Sequence, residues 1–225
     1  MGSKLIIFGL SNIAECAYEY FTYDSEYDVV AFTVDAAYVP ENAELMGKPI
    51  VPFEELAENF SCEECQVFVA VGAQQLNRFR TDKAEAAKAM GFKLASYVSS
   101  RAFVWPNVKL GEHVFIQENN TIQPFAKIGN NVTLWAGNHI GHASEIRDNC
   151  FVTSHVVVSG HCIIGENSFL GVNASIADCV EVGRDNLIGM GAIISKSTPE
   201  DALYSTKKTE LAKISARKFF KVEDV

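Results

Sequence analysis

The chain predicts an α/β region joined to a parallel β-helix, and three observations carry that division. Residues 1–98 alternate apolar, β-branched runs with helix-forming stretches. From Val104 to Ile194 every sixth residue is Val, Ile or Leu, without a slip in register. The residues beyond 198 follow neither pattern and read as a short helical tail. The expected divisions are therefore 1–98, 99–198 and 199–225.

In the first division KLIIFGL (4–10), DVVAFTV (28–34) and QVFVAVG (66–72) read as strands, and FKLASYV (92–98) as a fourth. The stretches NIAECAYEYF, PFEELAENF and QLNRFRTDKAEAAKAMG between them have helical spacing, the last stopping at a glycine. Such alternation implies a parallel, Rossmann-like sheet with helices on its faces. Its ligands bind at the carboxyl ends of strands, beside a helix N-terminus. The turn at that place is Gly9-Leu10-Ser11-Asn12. It is not the glycine fingerprint of a dinucleotide site, and it leaves a nucleotide diphosphate or a similar anion open.

The second division has a period of six. Sixteen aliphatic anchors recur, the position two before each is mostly small or apolar, and seven of the following positions are glycine. Residues two apart on a strand point the same way, so both apolar positions face inward. Three hexapeptides then close one triangular coil of 18 residues, and sixteen give about five coils stacked ~4.8 Å apart. Cys150 and Cys162 fall at inward positions, which makes them core residues.

Composition excludes several classes. With 28 acidic and 19 basic residues the net charge is −9, which disfavours a nucleic-acid surface. No apolar run approaches the roughly 20 residues of a membrane span. The opening MGSKLIIFGL is too short for a secretory signal, so the six cysteines read as reduced thiols in the cytoplasm. Cys62-Glu-Glu-Cys65 is a lone pair without the second half of a zinc site.

Hexapeptide arithmetic places the histidines. His142 lies two after its anchor Ile140, and His161 three after its anchor Val158. Those anchors are 18 apart, so both imidazoles should decorate one edge of the prism on consecutive coils. His155 falls on a different edge, and His139 directly before an anchor, facing out from a flat side. His113 is expected to be an ordinary polar corner residue.

A βαβ domain followed by a hexapeptide β-helix resembles the bacterial nucleotide-sugar acetyltransferases of the left-handed β-helix superfamily. That group holds the bacillosamine and perosamine N-acetyltransferases and sialic-acid O-acetyltransferase relatives. Their general base is a histidine 22 residues before the isoleucine of an Ile-Gly step, and Gly141-His142 precedes Ile164-Gly165 by that interval. The resemblance therefore implies His142 as catalytic base. The carboxylate that usually follows the base is Ala143 here; Glu145, Asp148 or His161 are the candidate substitutes, and His155 and Asn138 candidate site walls. Acetyl-CoA, as co-substrate without a metal, would be met at Phe151, at Gly171 and Val172, and at Gly189 and Met190. Val172 and Met190 share the edge of His155 rather than that of His142, which implies a site assembled between subunits of a homotrimer. A nucleotide-linked amino sugar would meet Gly9, Ser11, Asn12, Asp35 and Gly72. The chain departs from the family after Tyr204, where TELAKISARKFFKV reads as a helix. Its Lys207, Lys208, Lys213, Arg217 and Lys218 would either meet coenzyme A phosphates or form a solvated face.

The expected chemistry is direct acetyl transfer to the amine of a nucleotide-linked amino-dideoxysugar. A neutral imidazole accepts the amine proton, and a backbone N–H of a glycine-rich corner receives the oxyanion. Three rivals stand beside it: O-acetylation of a sugar hydroxyl, a zinc site of carbonic-anhydrase type built from histidines, and non-catalytic nucleotide-sugar binding.

Overall fold

The computed structural model describes residues 3–222; residues 1–2 and 223–225, at the outer ends of the first and last expected divisions, lie outside them. The first half is a six-stranded sheet built from β1 (Lys4–Phe8), β2 (Asp28–Val34), β3 (Glu44–Leu45), β4 (Lys48–Pro52), β5 (Cys65–Val69) and β6 (Lys93–Leu94). The spatial order is β3-β4-β2-β1-β5-β6, parallel throughout except for β3 against β4. The central strands are buried on both faces, which explains their unbroken apolar runs. Helices α1 (Asn12–Tyr23), α2 (Leu56–Asn59) and α3 (Arg78–Ala89) complete this half.

Three boundaries differ from the sequence pattern. The strand β4 has proline at its second and last positions, a composition that hides strands from propensity. The stretch expected to be helical from Gln75 begins only at Arg78. Gln75, Leu76 and Asn77 instead adopt left-handed backbone angles (φ 52°, 50° and 69°), and the Asn77 amide donates to the Asn167 carbonyl at 2.9 Å. Contact with the prism therefore overrides helix propensity there. Of FKLASYV only Lys93–Leu94 joins the first sheet; Tyr97–Val98 pairs with Phe115–Ile116 as the first rung of the prism.

The second half is the expected three-sided left-handed β-helix. Strands of two residues stack in three parallel sheets, and each residue pairs with the one 18 positions on: His139 with Val157, Glu145 with Ile163, Phe151 with Phe169. The anchors from Ile116 to Ile194 are buried, as are Cys150 and Cys162, whose thiols point to backbone carbonyls at 3.2 and 3.0 Å. Burial pushes the Cys150 thiol up to about 12. The corner residue three after each anchor from Leu110 to Ile188 takes a positive φ of 53–80°, which favours Asn, Asp, Gly and His over other residues. Leu203–Tyr204 closes the last coil against Leu187–Ile188. Beyond it the expected helix reduces to α4 (Ala216–Phe219).

The two halves are joined by buried polar contacts. Arg80 is 2% exposed and donates to the Asn131 side chain and carbonyl, both at 3.0 Å, and to the carbonyls of Asn149 and Cys150. No carboxylate is among its hydrogen-bond partners; burial brings its guanidinium down to about 10, which leaves it charged at neutral pH. His113 is also buried, unlike an ordinary corner residue. Its Nε2 accepts from the Val69 N–H at 2.9 Å, and Nδ1 lies 2.8 Å from Asn131 Oδ1. An aromatic cluster of Phe21, Phe68, Tyr97 and Phe115 fills the space beside them.

Burial pushes the His113 imidazole down to about 3 from its ordinary 6.5, so it is neutral in the folded chain. Between those values the unfolded chain binds more protons, and stability falls as pH drops through that window. At pH 5 the His113 contribution lost is roughly 2 kcal/mol. Urea unfolding at pH 7 and pH 5 should show His113→Gln losing less stability than the parent by about that amount. Equal losses would show that the imidazole is not held neutral.

Candidate functional site

The edge that carries His142 is built by glycines. Gly141 packs so closely on the next coil that a Cβ would lie 2.4 Å from the Ser159 carbonyl carbon. Gly160, one coil above, leaves room for the His142 ring, because a Cβ there would fall 2.4 Å from Cε1. His142 and His161 are both exposed, with ring centroids 4.9 Å apart and planes at 86°. The backbone fixes the pair: His161 N–H donates to the His142 carbonyl at 2.9 Å, and His142 N–H donates to Gln123 Oε1 at 2.9 Å. An exposed imidazole, held edge to face by a second one, is an accessible proton acceptor with a fixed neighbour.

The carboxylate candidates lie elsewhere. Glu145 faces out from a flat side and pairs with Lys127 at 3.3 Å and Arg147 at 3.4 Å. Asp148 belongs to another edge, where it accepts from the Asn130 N–H at 2.7 Å and from its side-chain amide. Of the three substitutes, His161 is the one whose ring packs against that of His142. Ala143 itself sits at the corner position with φ 53°, a conformation costly for alanine. Asn138 is a correction: it is 1% exposed, bonded to the Trp135 carbonyl and the Val156 N–H, and so braces a turn inside the prism rather than lining a wall. His155 is exposed on a second edge, its ring lying over Gly137. Among the described residues no three His, Cys, Asp or Glu side chains gather as a metal site requires.

That second edge also carries Val172 and Met190, 36% and 68% exposed. Gly171 and Gly189 beneath them are stacking glycines; a Cβ on Gly171 would lie 2.6 Å from the Met190 nitrogen. Phe151 does not share the edge. It is 5% exposed on a flat face, stacked on Phe169 at 5.7 Å and covered by Arg80, so its ring is committed to the joint between the halves. Sequence reasoning missed two donors on the same edge one coil apart, Gln117 Nε2 and Trp135 Nε1, which are buried without a hydrogen-bond partner among the described residues. Their spacing of 18 was readable; their orientation was not.

In the first half Gly9, Ser11, Asn12 and Gly72 converge at the carboxyl ends of β1 and β5. Gly9 has φ +123°, and a Cβ would lie 2.7 Å from the Ala70 carbonyl oxygen. A Cβ on Gly72 would lie 3.3 Å from Ile13 Cδ1, in the first turn of α1. Ser11 caps that helix with its carbonyl, which accepts from the Ala14 and Glu15 N–H groups, and its hydroxyl makes no capping bond; the hydroxyl and the N–H groups of Asn12 and Ile13 are left to meet an anion. Asp35, after β2, forms an ion pair with Lys83, whose ammonium lies 5.1–5.6 Å from the rings of Phe8, Phe53 and Phe79. Lys83 was missed in the sequence because a lysine within a helix reads as surface charge. Phe79 four residues earlier was the available hint.

Residues 125–160 and 161–196 match the bacterial transferase hexapeptide (six repeats) family. A search of curated proteins finds no match. Among solved structures the chain is similar to the acetyltransferase domain of PglB from Neisseria gonorrhoeae FA1090, with 25% identity, 90% of this chain and 96% of that one covered, and a TM-score of 0.80. It is similar in fold to a histidine variant of perosamine N-acetyltransferase from Caulobacter crescentus, solved with CoA and GDP-perosamine (23% identity, 89% and 92% covered, TM-score 0.78). WeeI from Acinetobacter baumannii AYE shares the fold at 17% identity, 88% and 94% covered, TM-score 0.68. The chain thus carries the hexapeptide repeats of bacterial transferases on a left-handed β-helix, and shares its overall fold with the acetyltransferase domain of PglB.

Proposed function

We propose that the protein transfers an acetyl group from acetyl-CoA to the amine of a nucleotide-linked amino sugar, with His142 as general base. The observation that carries this reading is the exposed His142–His161 pair, held on one prism edge of a chain whose first half ends in an open helix N-terminus. The similarity to the PglB acetyltransferase domain, also solved with acetyl coenzyme A, supports it.

Chemistry assigns the parts. The amine attacks the thioester carbonyl as His142 takes its proton; the C–S bond breaks and coenzyme A leaves as thiol. His161 takes the orienting place that Ala143 leaves empty, and acts as a positioning residue. Phosphates of the nucleotide lie against the N-terminus of α1 at Ser11 and Asn12, with Gly9 and Gly72 allowing close approach. Asp35 and Lys83 then flank the nucleoside, the carboxylate accepting from it and the ammonium opposing the phosphate charge.

The catalytic assembly is a homotrimer. The His142 edge and the Val172–Met190 edge flank one flat face, whose outward residues include Phe103, Val157 and Ile193, 54%, 42% and 79% exposed. Apolar residues on a face between two half-sites suit burial against a second copy. That packing brings the base edge of one subunit against the acetyl-CoA edge of its neighbour. The six free thiols agree with a cytoplasmic setting, and no helix of the described residues is long and apolar enough to cross a membrane.

A thiol-release assay with acetyl-CoA and a panel of nucleotide amino sugars tests the reading. His142→Ala should lower kcat/KM by roughly 10²–10⁴ while leaving thermal unfolding unchanged; full turnover would overturn the assignment. His161→Phe should cost about tenfold in kcat and shift the pH–rate profile, and an unchanged profile would make its role purely structural. Gly160→Ala should push the His142 ring aside. Its imidazole NMR signals should shift and kcat should fall at constant fold, whereas unaltered signals would contradict the packing described.

A further inference from the structure

The segment after Tyr204 opposes the rest of the chain in charge. Residues 1–204 carry 25 acidic and 13 basic side chains, whereas residues 205–225 carry six cations and three acids, Glu210, Glu223 and Asp224. Hydrophobic side chains are exposed among those cations: Leu211 is 98% exposed, Phe219 66%, Phe220 74% and Val222 53%. Folding has found no place for them on this chain.

The pattern explains why. At 3.6 residues per turn Leu211, Ala212, Ala216, Phe219, Phe220 and Val222 occupy one half of a helical wheel. Lys213, Arg217, Lys218 and Lys221 occupy the other; Ile214 falls among these cations, and Lys208 and Ser215 fall in the apolar half. Among the described residues of this segment only Ala216–Phe219 is helical, capped by the Ser215 hydroxyl, which accepts from Lys218 N–H. Isolated helices below about 12–15 residues are marginal in water, and the apolar half has nothing to pack on. A surface that buries that half would complete the helix.

We propose that residues 207–222 form an amphipathic helix that lies in the interface of an anionic membrane. The two halves make different demands. An acidic protein face would neutralise the lysines and leave Phe219 and Phe220 in water. An anionic bilayer satisfies both, with the aromatic half at the acyl boundary and the cations among the headgroups. The binding needs neither His142 nor any substrate, so it stands or falls independently of the catalytic reading.

Vesicle flotation with the whole chain provides the test. Binding to vesicles containing phosphatidylglycerol should exceed binding to pure phosphatidylcholine by roughly tenfold or more, and should weaken with salt. The double variant Phe219→Ser, Phe220→Ser should lose about tenfold, and a chain ending at Thr206 should not bind. Helical ellipticity should rise on adding anionic vesicles to the parent and not to the shortened chain. Equal binding by the shortened chain, no binding by the parent, or loss of the oligomer on shortening without any vesicle effect would overturn the proposal, the last pointing to a second copy as the occupant.

Discussion

Everything in the second half depends on one constraint: a backbone that pairs each residue with the one 18 positions further on. From Ile116 to Ile194 that register puts an aliphatic side chain in the core at every rung, with Ile140, Val158 and Ile176 stacked in one column. It also makes each corner a left-handed turn, which selects Asn, Asp, Gly and His there. Functional side chains ride on this lattice at fixed spacing. The His142–His161 contact is a consequence of stacking, and the glycines at 141 and 160 are what let the coils and the ring approach so closely.

The joint between the halves is of a different kind. Arg80, His113 and Asn131 form a buried polar knot whose members satisfy one another, and a charged guanidinium there is held by carbonyl dipoles instead of a carboxylate. Removing one partner would strand the others without hydrogen bonds, at roughly 1–3 kcal/mol for each group left bare. Such a knot tolerates little relative movement. It fixes the crevice at the carboxyl ends of the first sheet relative to the prism edges, the distance that the proposed nucleotide-linked substrate would span.

Much of this was legible in the sequence, and the reason is periodicity. An unbroken repeat of six fixes which residues are inside, so the core positions of Cys150 and Cys162 and the adjacency of His142 and His161 followed by counting. What counting misses is contact between elements distant along the chain. The burial of His113, the late start of α3, the commitment of Phe151 to the joint and the turn-bracing role of Asn138 all arise where one half meets the other or one coil folds back on the last. Lys83 was hidden for the same reason, since its aromatic surroundings come from three separate segments. The tail shows the converse: helical spacing was present, but spacing without a packing partner yields one turn.

The central claim is that base and acetyl-CoA edges meet across a subunit boundary, and mixing subunits tests it most directly. His142→Ala chains keep the cofactor edge, and Val172→Arg chains keep the base. Each trimer mixing the two contains one boundary at which both edges are intact. Equal mixing after reversible dissociation should therefore restore about one quarter of the parent turnover from two inactive proteins. A mixture no more active than its components would contradict the account.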